Sequence, residues 1–185
     1  MPRPVALGPG AVELEGQKVS GERSGVRATV TLDAWTGNPK DLNKSLLPLY
    51  LVVENRSSKP VSLSLEQVSI LDVNRRQWRP LTPEEAQKTT TGGWGAMPPL
   101  FSIGIGGGGG GVGVGMGTGI PVGGGYPGST EILTRAFRSG EIAPGSRAEG
   151  FVYFSRLDPE TARFSLILSP EGRENLSFDF AMEKR

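Results

Sequence analysis

Between Lys88 and Glu131 run 42 residues without a single charge, and residues 92–128 of that run contain 18 glycines. Such a stretch has too few side chains to enclose a hydrophobic core, and each glycine adds backbone entropy that folding must remove. The core must therefore come from the two blocks on either side, about residues 11–81 and 140–185, meeting across the segment. A chain of 185 residues is long enough for one such domain. The hydrophobic fraction of 36% is low, and the 28 glycines account for much of the deficit.

Both flanking blocks carry the period of β-strands. Val26, Ala28, Val30, Leu32 and Ala34 alternate with Arg27, Thr29, Thr31 and Asp33, the pattern of a strand with one buried face. Gly37-Asn38-Pro39 breaks it. Residues 47–54 are apolar on both faces and predict a central strand. Shorter strands are expected at 61–65, 68–72 and 78–81, the last two joined by a tight turn at Asn74-Arg75-Arg76. After Pro144-Gly145, which suits the middle of a type II turn, strands are expected at 150–154, 164–168 and 176–180. Leu176, Phe178 and Phe180 share a face of the last. The expected fold class is all-β, a sandwich of about seven to nine strands. Core positions are Val30, Leu32, Leu49, Leu51, Val53, Leu63, Phe151, Tyr153, Leu166, Phe178 and Phe180. Residues 1–10, with three prolines and two glycines, predict an extended arm.

The run from Leu51 to Val61, with Asn55 and a polar turn before Lys59-Pro60-Val61, resembles a hairpin of secreted bacterial immunoglobulin-like domains. The run Gly140 to Phe154, a Pro-Gly turn feeding an aromatic strand, is similar to the same domains, the telokin-like and immunoprotective-antigen-like sandwiches of bacterial lipoproteins. The likeness covers about 26–81 and 140–181. It implies export to the periplasm or cell envelope and an adhesive, scaffolding or accessory role, with no catalytic residues to carry over. Residues 1–10 have no apolar stretch of the kind a signal peptide needs. Either the protein is cytosolic or a leader has been removed; the family likeness implies the second, with a leader and a lipidation cysteine expected on the natural precursor.

Composition narrows the chemistry. Lys plus Arg is 20 and Asp plus Glu is 19, so no basic stripe invites nucleic acid. Arg75, Arg76 and Arg79 read as a solvated hairpin tip. The chain has no cysteine and no histidine, which removes disulfides, thiolate nucleophiles, cysteine zinc sites and the commonest general base. Asp33, Asp41, Asp72, Asp158 and Asp179 are scattered. Ser57-Ser58-Lys59 reads as a turn rather than a Ser–Lys dyad. Trp35 and Trp78 read as packing residues rather than a sugar platform. Neither catalytic residues, cofactor nor metal is expected.

The insertion, residues 82–139, has structured flanks. Thr82-Pro83-Glu84-Glu85 is a capping box that opens a helix over about 83–88. Ser129 caps a second helix to about Ser139, with Gly140 as its stop. The apolar stripe Ile132, Leu133, Ala136 and Phe137 is expected to pack on the sandwich. Between them, Phe101, Ile103 and Ile105 alternate with small residues. After a hexaglycine, Val112, Val114, Met116, Thr118, Ile120 and Val122 alternate with Gly113, Gly115, Gly117, Gly119 and Pro121. Three readings stand: a flexible glycine loop, a hairpin with one apolar and one bare face that pairs with other subunits or meets the outer membrane, and a phosphate cradle, which lacks the Gly-Lys-Ser/Thr it needs. The expected role is a non-catalytic envelope subunit that self-associates through Phe101, Ile103, Ile105, Val112 to Gly117, Gly119, Ile120 and Val122. The alternative is a monomeric binding module for peptide, glycan or a partner protein.

Overall fold

The structure, a computed structural model, describes residues 2–5, 11–14, 17–91, 129–158 and 161–182. Among the described residues, twelve strands alternate with a few short helices. They are β1 (Pro2–Val5), β2 (Ala11–Leu14), β3 (Lys18–Arg23), β4 (Val26–Thr31), β5 (Leu46–Asn55), β6 (Val61–Leu63), β7 (Val68–Asp72), β8 (Gln77–Trp78), β9 (Gly140–Ile142), β10 (Arg147–Ser155), β11 (Arg163–Leu168) and β12 (Leu176–Met182). The helices are α1 (Leu42–Ser45), α2 (Pro83–Thr91) and α3 (Ser129–Thr134), with one 3₁₀ turn at Leu65–Gln67. The protein is all-β, and its strand pairs are antiparallel.

One five-stranded sheet has the order β1-β12-β11-β7-β8 and a second has β10-β5-β4-β3-β2, while β6 and β9 form a separate ribbon. Both sheets feed one core. Val26, Ala28, Val30 and Leu32 from β4 and beyond its end, Leu49, Leu51 and Val53 from β5, and Val152 and Phe154 from β10 meet Val68, Ile70, Phe164, Leu166, Phe178 and Phe180 of the opposite sheet. Each fully buried Leu, Ile or Phe adds about 1.5–3 kcal/mol through exclusion of water. All eleven expected core positions are buried. Phe151 and Tyr153, however, point away from this core into a second one.

The described residues hold more strands than the seven to nine expected: β1, β2 and β9 are only three or four residues long, and β3 buries three consecutive residues, Val19 to Gly21, instead of alternating. The proline-bearing arm supplies β1, which lies at a sheet edge, where an absent N–H is tolerated. The strand expected at 78–81 stops at Trp78. Pro80 ends it, and Leu81 crosses to the other sheet to donate its N–H to Tyr153 O at 2.7 Å. Leu65 opens the 3₁₀ turn instead of extending β6. At Pro144-Gly145 the type II turn forms as the sequence requires, with Gly145 at φ 73° and Ser146 N–H donating to Ala143 O at 3.0 Å.

Asn55, buried at the end of β5, ties the strand ends together. Its amide donates to Lys59 O and to Ile142 O, both at 2.8 Å, and its Oδ1 accepts from Ser57 N at 2.9 Å. Its backbone exchanges bonds with Ser146 O and Gly145 N. The Ser57 hydroxyl is engaged with Asn55 Oδ1 at 2.7 Å and with Arg173, so the turn reading of 57–59 holds.

Candidate functional site

The outer face of β5 and β10 carries the second core, built from Trp35, Leu42, Leu46, Ala86, Ile132, Ala136, Phe151 and Tyr153. Aromatic rings make its frame. Trp35 meets Phe151 edge to face at 5.0 Å and Tyr153 at 6.2 Å, and Tyr50 meets Phe151 at 5.0 Å. Such pairs contribute beyond their buried area. The Trp35 indole N–H donates to Pro39 O at 2.9 Å, so the Asn38-Pro39 segment is fastened beside it.

Both roots of the glycine-rich insertion are seated on this frame. α2 begins at the expected capping box: Glu85 N–H donates to Thr82 Oγ1 at 3.2 Å, and Thr82 N–H donates to Glu85 Oε2 at 2.9 Å. Arg79 grips the same carboxylate with two bonds, at 3.0 and 2.8 Å. The Arg79 hydrogen bond is the main reason the Glu85 carboxyl is lowered to about 2, with the Thr82 N–H and nearby charges adding to it against partial burial. α2 runs to Thr91, three residues past the expected end. It buries Ala86, which joins Ile132 of α3 in the second core.

α3 is shorter than expected, and stops at Thr134 rather than near Ser139. The competing interaction is a strand edge. Phe151 N–H donates to Arg135 O and Phe137 N–H donates to Phe151 O, both at 2.8 Å, so 135–137 runs beside β10 instead of continuing the helix. Gly140, expected as a helix stop, is the first residue of β9. Ile132, Ala136 and Phe137 of the apolar stripe are buried, whereas Leu133 is exposed. The Tyr153 hydroxyl, buried, donates to Ile132 O at 3.0 Å. Burial holds that phenol well above its ordinary range, so it stays a donor. Arg135 lies over the Trp35 ring at 5.6 Å and pairs with Glu131 at 3.2 Å. Gly37 is required here, because a side chain would meet Glu131 Oε2 and the Trp35 ring within 2.8 Å.

Beside this layer opens a cleft of about 650 Å³ lined by Ala34, Tyr50, Arg135, Arg138 and Glu149, with Ala148 and Gly150 at its side. Burial, with the Glu149 charge adding to it, raises the Tyr50 phenol. Sequence reasoning missed this cleft. Tyr50 and Glu149 are neighbours only through the β5–β10 register, in which Phe151 faces Tyr50 and Glu149 faces Val52, and no spacing along the chain announces it. In the sequence, Arg135 and Arg138 are only two charges near the end of the helix that Ser129 opens.

The expected interaction residues Phe101, Ile103, Ile105, Val112, Gly113, Val114, Gly115, Met116, Gly117, Gly119, Ile120 and Val122 lie outside the described residues, as does Trp94. Trp35 is buried and Trp78 half-buried. Of the arginine cluster, Arg76 binds the Asp72 carboxylate at 2.7 Å and stacks over Trp78, and Arg79 is taken by Glu85. Asp72 and Asp179 serve local bonds, to the Asn74–Arg76 turn and to Ser165 respectively. Among the described residues, no group of three or more acidic side chains is placed to hold a metal ion, and no helix is long and apolar enough to cross a membrane.

The sequence matches no family model and no curated protein. Among solved structures, the yjhA protein from Bacillus subtilis is similar with a TM-score of 0.43 and 14% identity, over 80% of this chain and 76% of that one. A functionally unknown protein from Listeria monocytogenes EGD-e gives 0.38 and 11%, over 94% and 81%.

Proposed function

We propose that this chain is a non-catalytic, immunoglobulin-like subunit of the bacterial cell envelope that presents its glycine-rich segment for self-association. The observation behind this reading is the seating of both insertion roots. A capping box, a bidentate Arg79–Glu85 pair, a buried tyrosine bond and an aromatic frame hold α2 and α3 at one place on the sheet. A loop that merely connects two strands needs no second core beneath it. A segment that must meet a partner in fixed geometry gains from rigid roots, since ordering them beforehand lowers the entropy lost on association. In a chain extended as a strand, the alternation of Val112, Val114 and Met116 with Gly113, Gly115 and Gly117 would put the side chains on one face and leave the other bare for another backbone. Export to the periplasm or envelope, with a lipid anchor on the natural precursor, completes the proposal and rests on the family likeness alone.

Light scattering on the full chain and on a form lacking 103–122 tests it. The expected result is a defined oligomer for the full chain and a folded monomer for the deletion. A full chain that is monodisperse and monomeric refutes self-association and supports the second reading, a monomeric binding module, which the open cleft beside Tyr50 favours.

A further inference from the structure

The free edge of β10 is guarded over only part of its length. In an antiparallel ladder, alternate residues turn both main-chain groups away from the partner strand. Phe151 and Tyr153 do so on β10: the Phe151 N–H and C=O are met from outside by Arg135 O and Phe137 N–H, and the Tyr153 C=O by Leu81 N–H. By the same alternation the main-chain groups of Arg147 and Glu149 also face outward. Among the described residues, no hydrogen bond reaches them.

The cleft of about 650 Å³ opens at this unguarded stretch, within the range of about 300–1,000 Å³ usual for ligand sites. Tyr50 offers an aromatic wall to it. Its charges do not cancel. Arg135 is shared with Glu131 and Trp35, and Glu149 lies 3.6 Å from Arg147. Arg138 is exposed and makes no hydrogen bond or ion pair among the described residues. Charged side chains on a sheet edge ordinarily discourage pairing. Here Arg147 and Glu149 neutralise each other, and Arg138 selects the charge of whatever is admitted.

Unpaired peptide groups call for another main chain, Tyr50 for an apolar or flat side chain, and Arg138 for a carboxylate. We propose that this notch binds, by strand addition to β10, an extended segment of a partner protein that carries an acidic side chain. The residues that carry the proposal all lie outside 92–128, and it stands whether or not the chain self-associates.

The test uses the full chain and a fluorescein-labelled hexapeptide, Thr-Val-Glu-Val-Thr-Val. One twin has Lys for Glu, and another is N-methylated at alternate residues so that one edge cannot donate. Fluorescence anisotropy is expected to show saturable binding of the parent peptide below about 1 mM. The Lys twin should bind at least about tenfold more weakly, and the N-methylated twin not at all. Arg138→Glu, an exposed change that leaves both cores intact, should reverse the Glu-over-Lys preference. Hydrogen exchange should slow at the Glu149 amide when peptide is bound. Absence of saturable binding, equal affinity for the Glu and Lys peptides, or an unchanged preference in Arg138→Glu overturns the proposal. Loss of self-association in Arg138→Glu, without peptide binding to the parent, would assign the notch to a second copy and overturn it equally.

Discussion

Gly150 shows how one missing side chain shapes the site. A Cβ there would lie 2.5 Å from both Cα and N of Phe137, so the 135–137 segment can reach β10 only over a glycine. Gly150→Ala must push this backbone outward, and is expected to lower stability by about 1–3 kcal/mol, read from the urea midpoint at unchanged slope. Asn55→Ala removes the donors to Lys59 O and Ile142 O from a buried position. Lys59 O keeps the Ser57 hydroxyl at 2.9 Å, but Ile142 O is left buried and unpaired, which costs about 1–3 kcal/mol, so unfolding should shift by that amount. Asn55 was legible as a turn residue, since Asn before a Ser-Ser-Lys-Pro run announces a side-chain-supported turn. Gly150 was not, because its need arises from a segment that approaches from 13 residues upstream.

Helices and strands differed in how far their own residues decided them. α2 follows its capping box, β4 and β12 follow their alternation, and β5 follows its continuous apolar run, all local signals. The end of α3 and the path of Leu81 are set by β10, which offers main-chain partners that a sequence window does not contain. The second core is the extreme case. Trp35, Leu42, Leu46, Ala86, Ile132 and Ala136 show no shared period, and they meet only once the sheet is built. The root of α2 carries a testable pH dependence. The Glu85 carboxyl is at about 2 in the folded chain against an ordinary 4.5. A lowered carboxylate adds stability that is complete above the unfolded value and drains away as pH falls from about 4.5 toward 2. Protection factors of the α2 amides, taken relative to the intrinsic exchange rate at each pH, should therefore fall over that window, and Glu85→Gln should flatten the profile. Asp72 acts in the same direction: burial works against its charge, but the Arg76 backbone and side chain, with the Asn74 N–H, outweigh it.

At the scale of the molecule, the two sheets and the outer layer divide the work. The core between the sheets holds the fold, and the aromatic layer on β5 and β10 holds the insertion's roots. On this account the glycine-rich segment contributes little to folding. Deleting 103–122 should leave the β-type circular dichroism spectrum unchanged and alter unfolding free energy by no more than about 0.5 kcal/mol. The proposed self-association requires that Gly115 and Gly117 leave room for a second backbone. Size-exclusion chromatography with light scattering on the Gly115→Leu/Gly117→Leu double variant measures that most directly. The account predicts an oligomer for the parent and a folded monomer for the variant; a variant that assembles like the parent would contradict it.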